Sequence, residues 1–131
     1  MRKVTLFVIL SLLLGGCHKS LEDQAAEEAR EYTRKNCPTP IVNNTRTDSL
    51  AFDRSTRTIL YYCSFCGPFD DIELINNNRK SLGESIVKQI VENEGLRKLK
   101  KAGFNFKYIV HSQKNPRQVL YTQLVTPKEY R

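Results

Sequence analysis

Apolar residues recur along this chain with two periods. Leu21, Ala25, Ala29 and Tyr32 are spaced four, four and three apart, which lays a narrow apolar stripe along a helix over residues 21–35. Ser20 and Asp23 cap its start. Glu22 and Asp23 fill its first turn and Arg34 and Lys35 its last, so the charges complement the helix dipole at both ends. Asn36-Cys37-Pro38-Thr39-Pro40 stops the helix, because a residue before proline is pushed out of the α region. Strands are expected over Ser49 to Phe52 and Thr58 to Phe65, joined by the polar stretch Asp53 to Arg57. Ile59, Leu60, Tyr61 and Tyr62 make the second strand apolar on both faces, which predicts a central position.

After a loop holding Gly67, Pro68 and Asn76-Asn77-Asn78, Leu82, Ile86 and Ile90 trace a helix face with Val87 and Val91. A kink is expected at Gly95, Leu96 and Leu99 resume the face, and Gly103 closes it. Phe104, Phe106, Tyr108 and Val110 then alternate along one strand, and Val119, Tyr121, Gln123 and Val125 along another, with Lys114-Asn115-Pro116 in the turn. The order α-β-β-α-β-β predicts a single α+β domain over 21–131, an antiparallel four-stranded sheet with helices on one face. No internal repeat, low-complexity tract or interior linker interrupts it.

The N-terminus has a different pattern. Arg2 and Lys3 precede an apolar run from Val4 to Leu14 broken only by Thr5 and Ser11. That run is about half of the ~20 residues a spanning helix needs, and its basic head, apolar middle and small-residue end mark residues 1–16 as a secretory signal. The following Leu14-Gly15-Gly16-Cys17 resembles the lipobox of bacterial lipoproteins. The resemblance implies thioether lipidation of Cys17, cleavage before it and acylation, for instance by palmitate, of the new amine. Several chains on one cysteine bind a membrane firmly where one holds only marginally. Residues 17–20 would then be a short tether to the membrane. His18, rather than Asp, after the cysteine is unlike the inner-membrane retention signal, which favours the outer membrane over the cell membrane in a two-membrane cell.

Charge changes the picture little. The formal charge is +7, and without Arg2 and Lys3 it falls to +5, with the basic residues spread along the chain except at Arg97, Lys98, Lys100 and Lys101. Such a balance invites a nucleic-acid reading. Export and the lack of a nucleic-acid motif oppose it, leaving anionic lipid or acidic envelope polymers as charge partners.

Asn36-Cys37-Pro38, Thr45-Arg46-Thr47-Asp48-Ser49, the tyrosine-bearing second strand and Leu96 to Gly103 ahead of an aromatic strand are similar to a group of small exported lipoproteins of Bacteroides-type bacteria. That resemblance covers most of 36–127. It implies an envelope role and no functional residue.

Cysteine is where chemistry would reside. With Cys17 lipidated, Cys37, Cys63 and Cys66 remain, an odd number for an oxidising compartment. Cys63-Ser64-Phe65-Cys66 has redox spacing, but it ends a strand and leads into Gly67-Pro68-Phe69 rather than an opening helix turn. A disulfide from Cys37 to either partner, or plain buried thiols, is the expectation. Zinc would need a fourth ligand from His18 or His111, and His18 lies on the tether, so no metal is expected. Asp70, Asp71 and Glu73 lack the spacing of a calcium loop. His111 is read as exposed or hydrogen-bonded at the end of an edge-like strand, and no glycine-rich phosphate loop or nucleophile motif occurs. Asn43-Asn44-Thr45 fits a glycosylation acceptor that a bacterial lipoprotein would not use.

The expectation is therefore a lipid-anchored envelope protein with a non-catalytic binding domain, no cofactor, and an envelope protein or polymer as partner. Tyr61, Tyr62, Tyr108 and Tyr121 are candidates either for contact on an uncovered sheet face or for the core. The alternatives are a periplasmic small-ligand binder, which requires a closed pocket with converging polar groups, or a thiol-redox protein using Cys63 and Cys66.

Overall fold

The computed structural model describes residues 19–131, so the export signal, Cys17 and His18 lie outside the described residues. Helix α1 spans Leu21–Asn36, and the Ser20 hydroxyl accepts the Asp23 N–H at its start, as the capping pattern requires. Its buried residues are Ala25 and Ala29, whose small side chains let the helix lie close to the rest of the domain. Asn43 and Asn44 adopt positive φ (53° and 59°) and turn the chain into β1, Thr45–Asp53. This strand starts earlier than its apolar pattern implies. A bulge between Thr47 and Ser49 inserts Asp48 and breaks the period of two on which the expectation rested.

Strand β2 runs Thr58–Phe65, followed by a 3-10 turn, Gly67–Phe69, and by α2, Ile72–Asn77, and α3, Arg79–Glu92. The expected kink at Gly95 is a full break. The Asn93 side chain accepts the Gly95 N–H and starts a second 3-10 turn, Glu94–Leu96, before α4, Arg97–Lys101. Lys100 reaches back so that its ammonium donates to the carbonyls of Ile90 and Val91, both at 2.9 Å, satisfying acceptors left open at the end of α3. Strands β3, Asn105–Ser112, and β4, Val119–Val125, follow, and a capping box at Thr126 and Glu129 closes a last turn, α5, Pro127–Tyr130.

The sheet order is β1-β2-β3-β4, which makes β2 central as its two apolar faces predict. The α+β layer architecture is as expected, with one correction: the sheet is mixed. β1 with β2 and β3 with β4 are antiparallel hairpins, whereas β2 and β3 are parallel. The cause is topological. Helices α2 to α4 carry the chain back across the sheet, so β3 enters at the same end as β2, as in a β-α-β crossover.

Register divides the sheet into two faces. Ile59, Tyr61, Cys63 and Phe65 of β2 lie beside Phe106, Tyr108, Val110 and Ser112 of β3 on the face that the helices cover. Phe104, Phe106, Ile90, Leu120, Val110 and Val125 are the largest fully buried side chains, and this single core joins helices to sheet. Leu60, Tyr62, Lys107 and Ile109 occupy the opposite face, half-buried, with Leu124 exposed beside them.

Candidate binding groove

The residues after β2 build an apolar hollow. Gly67 takes a φ of +58°, open to glycine without strain, and reverses the chain so that Phe69 returns edge-on to Phe65 with ring centres 6.0 Å apart. Two acids fix this corner. The Asp70 carboxylate accepts the Lys114 N–H at 2.9 Å, and Asp71 caps α2 by accepting the N–H groups of Glu73 and Leu74. With Asp70 held below the usual carboxylate range by the Ser112 hydroxyl and the Lys114 N–H, these acids are structural braces. Among the described residues no three His, Cys, Asp or Glu side chains converge on a metal position.

The corner leaves Phe69 and Leu74 40% and 38% exposed at the mouth of a cavity of about 370 Å³ lined also by Phe65, Ile75 and Leu82. A second hollow of about 360 Å³ shares Phe65, Phe69 and Leu82 with it and extends over Cys63, Tyr108 and Val110 beneath Ser85 and Gln89. The two form one groove between α3 and the sheet. Its polar groups, among them Asn78, Ser81, Ser85 and Gln89, are neutral. Such a lining suits apolar side chains and supplies no acid, base or nucleophile ready at neutral pH.

Cys37, Cys63 and Cys66 are unbridged, and Cys63 and Cys66 are buried. Burial pushes the Cys63 thiol up to about 11 and raises those of Cys66 and Cys37 as well. A redox cysteine needs the reverse, an exposed and depressed thiol. The burial and raised thiols of Cys63 and Cys66 are the opposite of what the alternative reading, a redox pair, asks of them. The chain after Cys66 does make a helical turn, but it is a three-residue 3-10 turn with no side-chain cap.

Of the four tyrosines weighed between sheet surface and core, Tyr62 lies on the uncovered face and the other three belong to the core side. Tyr61 stacks on Tyr108 with ring centres 4.5 Å apart under the helices, and Tyr121 is buried there with its hydroxyl bonded to the Gln123 amide oxygen at 2.7 Å. Strand alternation decides this, and alternation could have sorted Tyr61 from Tyr62 in advance.

The uncovered face carries a polar cluster that pattern reading missed. The Asp48 bulge brings Arg46 and Asp48 to the same side, where the Arg46 Nε donates to Asp48 at 2.8 Å and the buried Ser64 hydroxyl donates to the other carboxylate oxygen. Tyr62 and His111 complete a hollow of about 310 Å³. His111 sits on an interior strand, not an edge, partly stacked on Tyr62, and its buried Nδ1 has no hydrogen-bond partner among the described residues. Nothing in the spacing of Arg46, Ser64 and His111 signals this meeting, because it depends on a bulge and a parallel pairing.

Comparison with known proteins follows the fold. A family model described as Domain of unknown function (DUF8479) matches residues 20–121. No curated protein matches the sequence. Among solved structures, a secreted protein of Pseudomonas aeruginosa superposes with a TM-score of 0.67 at 15% identity, covering 87% of this chain and all of its own. A pilotin of the Vibrio vulnificus type 2 secretion system gives 0.62 at 12% identity, covering 85% of this chain and 92% of its own. A type II secretion pilotin of Vibrio cholerae gives 0.58 at 16% identity, with coverages of 83% and 91%. At these identities the likeness is one of fold.

Proposed function

The chain belongs to the family described as Domain of unknown function (DUF8479), and from that premise we propose that it is a lipid-anchored bacterial envelope protein whose domain binds another envelope protein without catalysis. The observation that carries the reading is the apolar groove with Phe69 and Leu74 exposed at its mouth. Exposed large apolar side chains around a hollow mark protein contact sites. An amphipathic helix is the occupant whose shape fits, since its apolar anchors recur on one face and enter such grooves between elements. An envelope polymer would find few charged or sugar-binding polar groups there. The shared fold with a secreted protein and two secretion pilotins supports an address in the envelope and an interaction role.

Anchoring supports the same reading. Residues 1–16 would be removed, Cys17 would carry the lipid, residues 17–20 would be the tether and 21–131 the domain, held at the outer membrane or the cell membrane. No helix among the described residues is long and apolar enough to cross a membrane. Asp23 and Glu22 of α1 pair with Arg54 and Arg57 at the β1–β2 turn, which puts the start of α1 at the Thr58 end of β2. The groove lies at the Phe65 end, seven residues on, or about 23 Å at strand rise. An anchored domain thus presents its groove away from the membrane.

Site-specific photo-crosslinking in the native cell tests the binding role. A photoreactive residue at Leu74 is expected to give a discrete protein adduct that Phe69→Asp abolishes while the domain stays folded. An adduct that forms from Thr122 on the uncovered face and not from Leu74 would contradict it.

A further inference from the structure

The pole nearest the proposed anchor gathers basic side chains that the linear sequence disperses. Lys19 is held against α1: its ammonium pairs with Glu27 at 2.6 Å and its carbonyl accepts the Gln24 side-chain amide at 3.1 Å. Only His18 separates Lys19 from Cys17. Two residues of extended chain reach about 7 Å, so a lipid on Cys17 would bring the start of α1 to the membrane surface.

Three other segments gather there. The first half of α1, from Leu21 to Glu28, lies across a shallow hollow from Glu94 to Leu99, which places Arg97 and Lys98 beside the first turns of α1. Gly103 and Asn105 adjoin the β1–β2 turn, where Asn105 N–H donates to the Arg57 carbonyl, and the Arg57 guanidinium stacks over Phe104. The C-terminal turn closes the group, with the Arg131 guanidinium donating to the Lys101 carbonyl at 3.3 Å. Residues from four segments thus share one end of the molecule.

The charges at this end are not equivalent. Lys19, Arg54 and Arg57 are matched by Glu27, Asp23 and Glu22. Arg97, Lys98, Lys101, Lys128 and Arg131 form no salt bridge among the described residues, and all five are exposed. Glu28 and Glu94 line the same hollow as Arg97 and Lys98, and Glu129 is engaged in the Thr126 capping box. Five unpaired cations against the two unpaired acids Glu28 and Glu94, on the side where the proposed anchor would hold the membrane, have a specific complement: an anionic headgroup layer.

We infer that this pole is a lipid-headgroup contact, in which Arg97, Lys98, Lys101, Lys128 and Arg131 bind anionic phospholipid and orient the anchored domain with α1 and α4 toward the membrane. The inference rests on the lipid anchor proposed above and adds the second attachment. A polybasic patch beside an acyl anchor strengthens attachment and, unlike the chain alone, fixes which side faces the bilayer. The groove, at the other end of β2, then faces the aqueous space.

The test uses the acylated protein purified from its membrane and placed in vesicles of phosphatidylcholine alone or of three parts phosphatidylcholine to one part phosphatidylglycerol. Flotation with the neutral vesicles reads the anchor by itself. Lysine acetylation followed by mass spectrometry reads the pole: Lys98, Lys101 and Lys128 are expected to react several-fold more slowly on the anionic vesicles, while Lys80 and Lys114 at the groove end are unchanged. The contrast should vanish near 1 M salt, where screening acts within about 3 Å. In the triple variant Arg97→Glu, Lys98→Glu, Lys101→Glu, the protection of Lys128 should be lost with flotation retained. Equal reactivity of the three lysines on both vesicles overturns the inference. So does their protection in cells without protection on anionic vesicles, which would assign the pole to a protein partner instead. A protein that fails to float with neutral vesicles contradicts the anchor, and is seen before any footprint is read.

Discussion

The hydroxyl of Thr33 on α1 bonds to both backbone groups of Leu50 on β1: the Leu50 N–H donates to it at 2.9 Å, and it lies 3.0 Å from the Leu50 carbonyl, with Ala29 O a further acceptor at 2.8 Å. A side chain here does what a fifth strand would do. Thr39 repeats the device farther along, taking the Thr47 N–H on its hydroxyl and giving its own N–H to the Thr47 carbonyl. Together they close the free edge of β1, which would otherwise offer itself to any extended chain.

Thr33→Val keeps the volume and removes the hydroxyl, leaving the Leu50 N–H without its partner. The expected cost is about 1–2 kcal/mol. Urea unfolding should show a lower midpoint with an unchanged slope.

Gly83 on α3 faces Tyr121 so closely that an added Cβ would sit 2.7 Å from the phenolic oxygen and 2.8 Å from Gln123 Oε1. Tyr121 is buried, so it cannot swing away freely. Gly83→Val should destabilise by about 1–3 kcal/mol through overpacking. In a Tyr121→Phe background part of that cost should disappear, a coupling that a double-mutant cycle measures.

Alkaline pH should weaken the fold. Cys63 titrates at about 11 when folded, against its ordinary 9.0, because the buried thiolate is poorly solvated. A raised folded value means the unfolded chain loses its proton first. The stabilisation is therefore intact below pH 9 and lost as pH rises through about 11, a total of roughly 2–3 kcal/mol. Tyr108, pushed by burial up to about 12, adds its own loss above pH 10. Thermal melts from pH 8 to 11 should show a falling midpoint, and Cys63→Ala should flatten the portion between 9 and 10.

Leu74→Asp tests the groove without touching the core. Leu74 is over a third exposed, so stability should change by less than about 1 kcal/mol. Binding of the partner identified by crosslinking should weaken at least tenfold, measured by titration with the purified partner.

The elements themselves are largely legible in the sequence, because helix and strand periods are strong where one face is buried. Ser20, Leu21, Ala25 and Ala29 specify α1 almost to its ends, and Ile59 to Phe65 place β2 inside the sheet. What escapes local pattern is what depends on long-range pairing. The parallel alignment of β2 with β3 comes from the route of the crossover. The Asp48 bulge hides the first half of β1 and assembles the Arg46, Ser64 and His111 cluster. The groove was equally hidden, since Phe69 and Leu74 lie in segments without alternation and meet only because Gly67 reverses the chain. The thiols were half legible: their count was plain, and their burial needed the fold.

Both the outward-facing groove and the headgroup contact depend on a lipid at Cys17, so the deciding measurement is the intact mass of the protein from its native membrane, in wild type and Cys17→Ala. The account predicts a wild-type chain that begins at Cys17 and carries a lipid-sized addition, absent from the variant. A wild-type chain without lipid, or one cleaved at another residue, would contradict it.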